Sequence, residues 1–498
     1  MQTALRVHEK DNVAVALRDL SPGEAVTAGG CCIRVLEAVP VGHKVALAGI
    51  EEGGPVIKYG HRIGSALKAI SPGQWVHVHN LRSGLEGIGD YAYNPREADR
   101  SWADGEQAGY FEGYLRDDGR AGIRNEVWII TTVGCVNGVA RAIASRARQE
   151  LCMEGTGGIY HFEHPYGCSQ LGEDLKNTQK VLAGLVEHPN AGGVLVLGLG
   201  CENNNLPAFQ CLTGGSDPKR VKYLSCQDCG DEIEDGVRLV RELVEHAAGA
   251  KRRRLPLSML TVGLKCGGSD SFSGITANPL LGCFSDRLIQ HGGTVILTEV
   301  PEMFGAEDLL LERAASEEVF RKMVSMINGF KNYYISHSLP IYENPSPGNK
   351  EGGITTLEEK SLGCVQKGGS GEIAGVLDYG DRVSDKGLNI LAAPGNDMVS
   401  STALAAAGAQ VILFTTGRGT PFGSIVPTVK ISTNSRLFEK KKNWIDFDAG
   451  PIVSGAGIKE LSGDLFHFVL NLASGRLLAR NEINNCREMA IFKSGVTL

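Results

Sequence analysis

No apolar run in this 498-residue sequence reaches the ~20 residues that a membrane-spanning helix needs. The opening segment, MQTALRVHEKDNVAVALRDL, carries charge too early and too often for a secretory leader, so cytoplasmic residence is expected. A broad basic face is missing as well. Net charge is −7, and the one concentrated basic run, Lys251-Arg252-Arg253-Arg254, reads as a solvated connector rather than a nucleic-acid contact. Neither a dinucleotide loop nor a Walker loop is present. GGVLVLGLGCENNN offers G-x-G without a third glycine opening a helix, and KCGGSDSFSG fits neither pattern, so no NAD is expected. The pair Cys226 and Cys229 lacks a second C-x-x-C at zinc-ribbon spacing, which leaves it short of a four-ligand zinc site. The 65 glycines show no G-X-Y period, so their abundance signals tight turns and close backbone approaches.

What is present is a soluble, core-forming composition, 42% hydrophobic and 21% charged, over a length that implies two or three domains. Thirteen cysteines, an odd number in a chain expected to be reduced, point to buried thiols and metal ligands rather than disulfides. Residues 1–82 alternate short β-type runs with glycine turns, as a small all-β unit would. A polar linker is expected over 83–109. From there on, strand-like apolar runs alternate with helical segments, which predicts mainly parallel sheets covered on both faces: a middle α/β domain over 110–252 and a C-terminal one over 253–498.

In open α/β sheets ligands sit beyond the carboxyl ends of the strands. The residues at those ends are Cys201-Glu202, Cys266, Ser269-Asp270, Glu299, Asn396-Asp397 and Arg418. They suit a metal and an acidic, oxygen-rich substrate. HFEHPYGCSQLG adds His161, His164 and Cys168; His164 and Cys168, four apart, converge on a metal, or the stretch holds two exposed histidines and a core thiol. HVHN places His77 and His79 on one side of an expected strand, as a metal pair or as two solvent-facing imidazoles. Arg418, framed by glycines in TTGRGTPFG, is suited to bidentate clamping of a carboxylate.

Taken together, VIKYGHRIG, HVHN, GYLRDDGRAGIRN, HPYGC, GLGCE, KCGGSDSFSGITANP, NPSPGNKEGG, FTTGRGTPFG and LFHFVLNLASG resemble the altronate/galactarate dehydratase family, in the family's order and over nearly the whole chain. HVHN and Gly134-Cys135-Val136-Asn137 bring the sequence closest to the altronate branch. The resemblance implies an N-terminal β-clip (SAF-like) domain, a middle domain that pairs two copies into a homodimer, and a Rossmann-like C-terminal domain. It implies an iron-dependent hydro-lyase that converts D-altronate to 2-dehydro-3-deoxy-D-gluconate in galacturonate breakdown. Galactarate dehydration, a sulfolactate-type sulfo-lyase and a non-catalytic sugar-acid-binding protein are the alternatives.

Dehydrating a 2,3-dihydroxy acid means removing the proton on C2 and expelling the C3 hydroxyl. A Lewis-acid metal, a general base and a general acid all help. His164, Cys168, Cys201 and Cys266 are the expected metal ligands. Thiolate and imidazole together favour Fe(2+), and three cysteines would equally suit a [4Fe–4S] cluster. His79, then His77, are the expected acid–base residues, with Asp270 and Lys265 in reserve. Arg418, Asn396, Asp397, Ser269 and Ser271 are expected to hold the substrate.

Overall fold

The computed structural model describes residues 2–96, 109–214 and 217–497. Residues 2–82 form nine short strands in three small antiparallel sheets. In the largest of these, Ala4–Leu5, Val13–Ala16, Lys44–Ala46 and Trp75–Val76 lie in that order. Turns close after two to six residues, so the unit stays small and buries a core around Leu20, Val26, Val35 and Val45. The expected linker has neither strand nor helix over residues 83–96 and lies against the C-terminal domain. There Gly84 N donates to Glu358 Oε1 (2.7 Å), and Asn328 Nδ2 donates to Gly89 O (2.9 Å). Its residues 97–108 lie outside the described residues.

The middle domain is built on four parallel strands in the order Ile159–Phe162, Glu126–Thr131, Ala191–Gly198, Val221–Ser225. Its two central strands are buried along their whole length. Helices Asn137–Glu150 and Glu232–Ala248 cover one face, packing Ile143, Val240 and Leu243 around Ile129 and Leu195. Helix Gly172–Val186 covers the other face and meets helix Asp397–Ala406 of the C-terminal domain. Only a glycine permits that approach, since a Cβ at Gly184 would lie 2.4 Å from Ala406 O.

Seven parallel strands form the C-terminal sheet, in the order Ile373–Leu377, Gly387–Leu391, Thr294–Leu297, Thr261–Cys266, Val411–Thr416, Thr428–Ser432, Phe447–Asp448. The chain order reverses beside the Thr261–Cys266 strand, whose neighbours are Thr294–Leu297 and Val411–Thr416. Such a switch point opens a crevice beyond the strand ends. Lys265-Cys266 stands on one side of it and Gly417-Arg418 on the other. The middle sheet reverses in the same way, between Glu126–Thr131 and Ala191–Gly198. One apolar cluster joins the two sheets through Trp128, Val196, Ile412 and Phe414. No described helix is long and apolar enough to cross a membrane.

Candidate active site

Lys265, the penultimate residue of its strand, is fully buried. Its ammonium pairs with Glu299 and with Asp397 (3.0 Å), and donates to Cys266 O (2.7 Å). Burial opposes that charge, but Glu299, Asp397 and Glu302 outweigh it and hold the ammonium well above its ordinary pKa. Glu299 follows the Thr294–Leu297 strand with a left-handed backbone (φ 71°), which turns its carboxylate back onto Lys265, Lys367 Nζ (3.2 Å) and Cys266 N (3.0 Å). Three residues on, Glu302 gives Oε1 to Lys360 Nζ (2.8 Å). Its Oε2 accepts from two thiols, Cys266 Sγ (3.0 Å) and Cys364 Sγ (3.1 Å), which are 3.4 Å apart. Burial alone would raise the Glu302 pKa; Lys360, Lys265 and Lys367 together pull it far below the usual carboxylate range.

Among the described residues, Cys266, Glu302 and Cys364 are the one group whose donor atoms lie within 4.8 Å of one another as a metal would require. The donor set fits a thiophilic divalent ion better than a hard one. The charges fit too: Lys265, Lys360 and Lys367 balance Glu299, Glu302 and Asp397. A divalent ion that displaced both thiol protons would leave that balance unchanged. The four expected ligands are not brought together. His164 is buried, with Nε2 donating to Thr131 O (2.8 Å) and Nδ1 accepting from Tyr166 N (3.1 Å), so neither nitrogen is free. Cys168 and Cys201 are exposed on the middle domain, whereas Cys266 lies in the C-terminal core.

The N-terminal domain closes over this edge. Lys44 and Lys58, both buried, share the Glu359 carboxylate at 2.8 Å each. Lys44 also donates to Gly353 O and Thr355 Oγ1 (both 2.8 Å), and Lys58 to Ser271 Oγ (3.0 Å). Burial would raise the Glu359 pKa, but the two ammoniums hold it down at about 2. Burial wins at Lys44, which is lowered to about 8.

HVHN departs from the expected strand, which ends at Val76. A turn follows, closed by Asn80 N donating to His77 O (3.0 Å) and His77 N donating to Asn80 Oδ1 (2.9 Å). His77 therefore points inward, stacked on Trp75 and 3.2 Å from Thr355 Oγ1, while His79 stands exposed 5.1 Å from the Trp75 ring. Burial, then Lys44 and His43, lower His77 to about 3. Beside it a cleft of about 700 Å³ separates the N-terminal domain from the C-terminal one, with Arg62, Arg82 and Lys350 on its walls.

The remaining expected residues divide by environment. Buried Asp270 accepts from Thr433 Oγ1 (2.9 Å), Asn434 Nδ2 (3.2 Å) and Phe272 N (3.1 Å), pinning its own loop to the Thr433-Asn434 loop; burial raises its pKa. Asn396 caps the Asp397–Ala406 helix. Ser269 Oγ is buried without a hydrogen-bond partner. Arg418 is half-exposed, and its guanidinium bonds exposed Glu351 (2.9 Å). Sequence reasoning missed Glu302, Lys360, Cys364, Lys367 and Glu359. One signal was available: Lys360, Cys364 and Lys367 recur at i, i+4, i+7, one face of a helix.

The sequence matches three family models in order. These are the altronate/galactarate dehydratase SAF domain over residues 2–84, the D-galactarate dehydratase/altronate hydrolase second domain over 113–248, and the D-galactarate/altronate dehydratase C-terminal domain over 257–497. It is 52% identical to the altronate dehydratase of Bacillus subtilis (strain 168), across 100% of both chains. It is also 52% identical to the altronate dehydratase of Escherichia coli (strain K12), across 99% of both. Identity to the galactarate dehydratase (L-threo-forming) of the same E. coli strain is 36%, across 95% of this chain and 93% of that one.

Proposed function

The chain belongs to the D-galactarate/altronate dehydratase family, and on that premise we propose that it is a hydro-lyase converting D-altronate to 2-dehydro-3-deoxy-D-gluconate and water. The observation that carries this reading is the 52% identity to two altronate dehydratases from end to end, against 36% to the galactarate enzyme.

The residues at the switch point supply chemistry of the right kind. Arg418 can exchange its exposed Glu351 partner for the substrate carboxylate, because a solvent-exposed ion pair is worth only about 0–1 kcal/mol. Ser269, Ser271, Asn396 and Asp397 border the same strand ends and would take the hydroxyls. His79 is free of hydrogen bonds to the protein and stands on the domain that closes over this edge, so it is assigned the proton transfer at C2 or at the departing C3 hydroxyl. His77, Lys265 and Asp270 are engaged by their own partners and keep the walls in place. An Fe(2+) ion would be held by Cys266, Cys364 and Glu302, and when bound would supply Lewis acidity for a hydroxy acid. The reaction is redox-neutral, since the enol left by loss of water tautomerises to the 2-keto acid. On the family resemblance, we extend the reading to a cytoplasmic homodimer paired through residues 110–252 and to a step in hexuronate breakdown.

The test is an anaerobic assay with Fe(2+) and either D-altronate or galactarate. A 2-keto-3-deoxy acid formed from D-altronate at a kcat/KM at least tenfold above that for galactarate is expected. The reverse preference, or no product from either, contradicts the proposal.

A further inference from the structure

Every strand-to-helix connection at the carboxyl edge of the middle sheet carries a cysteine. Cys135 follows Glu126–Thr131, Cys168 follows Ile159–Phe162, Cys201 follows Ala191–Gly198, and Cys226 follows Val221–Ser225. The first three belong to adjacent strands and are exposed. Neighbouring strands lie about 4.8 Å apart, so three in a row bring their loops within about 10 Å of one another laterally. Cys135 and Cys201 flank the switch point of this sheet, where open α/β sheets bind ligands.

These loops are fastened to one another. Gly134 N donates to Tyr166 O (2.9 Å), Asn204 N to Gly167 O (3.0 Å), Asn204 Nδ2 to Thr132 O (3.0 Å) and Ser169 N to Asn203 Oδ1 (2.9 Å). A Cβ at Gly167 would lie 2.0 Å from Thr132 O, and one at Gly134 would lie 2.8 Å from His164 O, so glycine is required at both crossings. Ser169, beside Cys168, is held at φ 59°, a left-handed conformation that non-glycine residues adopt rarely. Helices Asn137–Glu150 and Gly172–Val186 begin directly after Cys135 and Cys168, and neither has a side-chain N-cap.

We propose that Cys135, Cys168 and Cys201 bind a [4Fe–4S] cluster through three thiolates, leaving one iron without a protein ligand. A single tetrahedral ion with Zn–S-like bonds of about 2.3 Å needs its sulfurs about 3.8 Å apart. These three thiols do not close to within 4.8 Å as a set, unlike the Cys266–Glu302–Cys364 group. A four-iron cluster asks for wider spacing, because each thiolate binds a different iron. Loading with two Fe(2+), two Fe(3+) and four sulfide ions exchanges three thiol protons for three iron–sulfur bonds and changes no oxidation state. Tyr166, two residues before Cys168, packs against the apolar cluster that joins the two parallel sheets. The assignment rests on these loops, not on the identity of the substrate.

The test uses the full chain, purified anaerobically and reconstituted with equal amounts of Fe(2+) and Fe(3+) and with sulfide, without substrate. Iron, acid-labile sulfide and the visible spectrum are measured. About four sulfide and about five iron per chain, four in the cluster and one at the Cys266–Glu302–Cys364 group, are expected with a brown absorption. Serine at Cys135, Cys168 or Cys201 should remove most of the sulfide and the colour, while C211S, at an exposed cysteine of the Leu206–Leu212 helix, should keep both. Thermal melting of the metal-free variants identifies any that fail to fold; for those, alanine replaces serine. A colourless, sulfide-free wild type, or full sulfide content in the triple serine variant, overturns the assignment.

Discussion

A lysine with no exposed surface has to be matched charge for charge, and Lys265 is matched by Glu299 and Asp397. Lys265→Met removes one ammonium and leaves buried Glu299 with Lys367 alone, so about 3–5 kcal/mol of stability should be lost. Urea unfolding measures this; a loss below about 1 kcal/mol would show that the pair is not under the strain of burial assigned to it. His79 makes the opposite case. It is exposed and unpaired, so His79→Asn should leave the melting temperature unchanged while turnover falls by about 100-fold or more. Unchanged turnover would remove His79 from the reaction. His77→Asn should lower the melting temperature instead, because that ring fills space between Trp75, His43 and Thr355. Strand-end positions such as Lys265, Cys266 and Arg418 were legible in the sequence because glycine loops follow apolar runs there. Glu302 and Cys364 were not, since their meeting with Cys266 depends on where a helix and a short turn land on the sheet.

Helix Leu357–Cys364 shows how an element can be assembled from both sides. It is buried along its whole length, which its charged sequence LEEKSLGC does not suggest. Each charge has a partner from another part of the chain: Glu358 takes Gly84 N, Glu359 takes Lys44 and Lys58, and Lys360 takes Glu302. A pH dependence follows. The Glu359 pKa is near 2 in the folded protein and near 4.5 when unfolded. A carboxylate depressed in this way contributes stability that is present in full above pH 4.5 and is lost as pH falls toward 2, about 3 kcal/mol in all. Wild type and Glu359→Gln should therefore differ most at neutral pH and converge in acid, as denaturant unfolding would show; a pH-independent difference would assign the loss to packing. A second element shows a break imposed by tertiary pairing. The amphipathic stretch from Glu307 to Ile327 is two helices, Glu307–Leu311 and Glu317–Ser336, because Ala315 N pairs with Ile373 O and Ser316 caps the second.

At the scale of the whole molecule, a small β unit followed by mainly parallel α/β sheets was readable from run length and turn spacing, whereas the division into four strands and seven was not. The docking of the β unit was not, since Lys44 and Lys58 precede Glu359 by 315 and 301 positions and only the folded chain joins them. That docking sets the β unit over the edge where the proposed function places the elimination of water from a hydroxy acid. The most direct measurement of this account is proton NMR of D-altronate turned over in D₂O. Removal of the C2 proton and later protonation of the enol by solvent predict 2-dehydro-3-deoxy-D-gluconate carrying one deuterium at C3. A product without deuterium at C3 would mean that hydrogen moved directly from C2 to C3, and the acid–base account would be wrong.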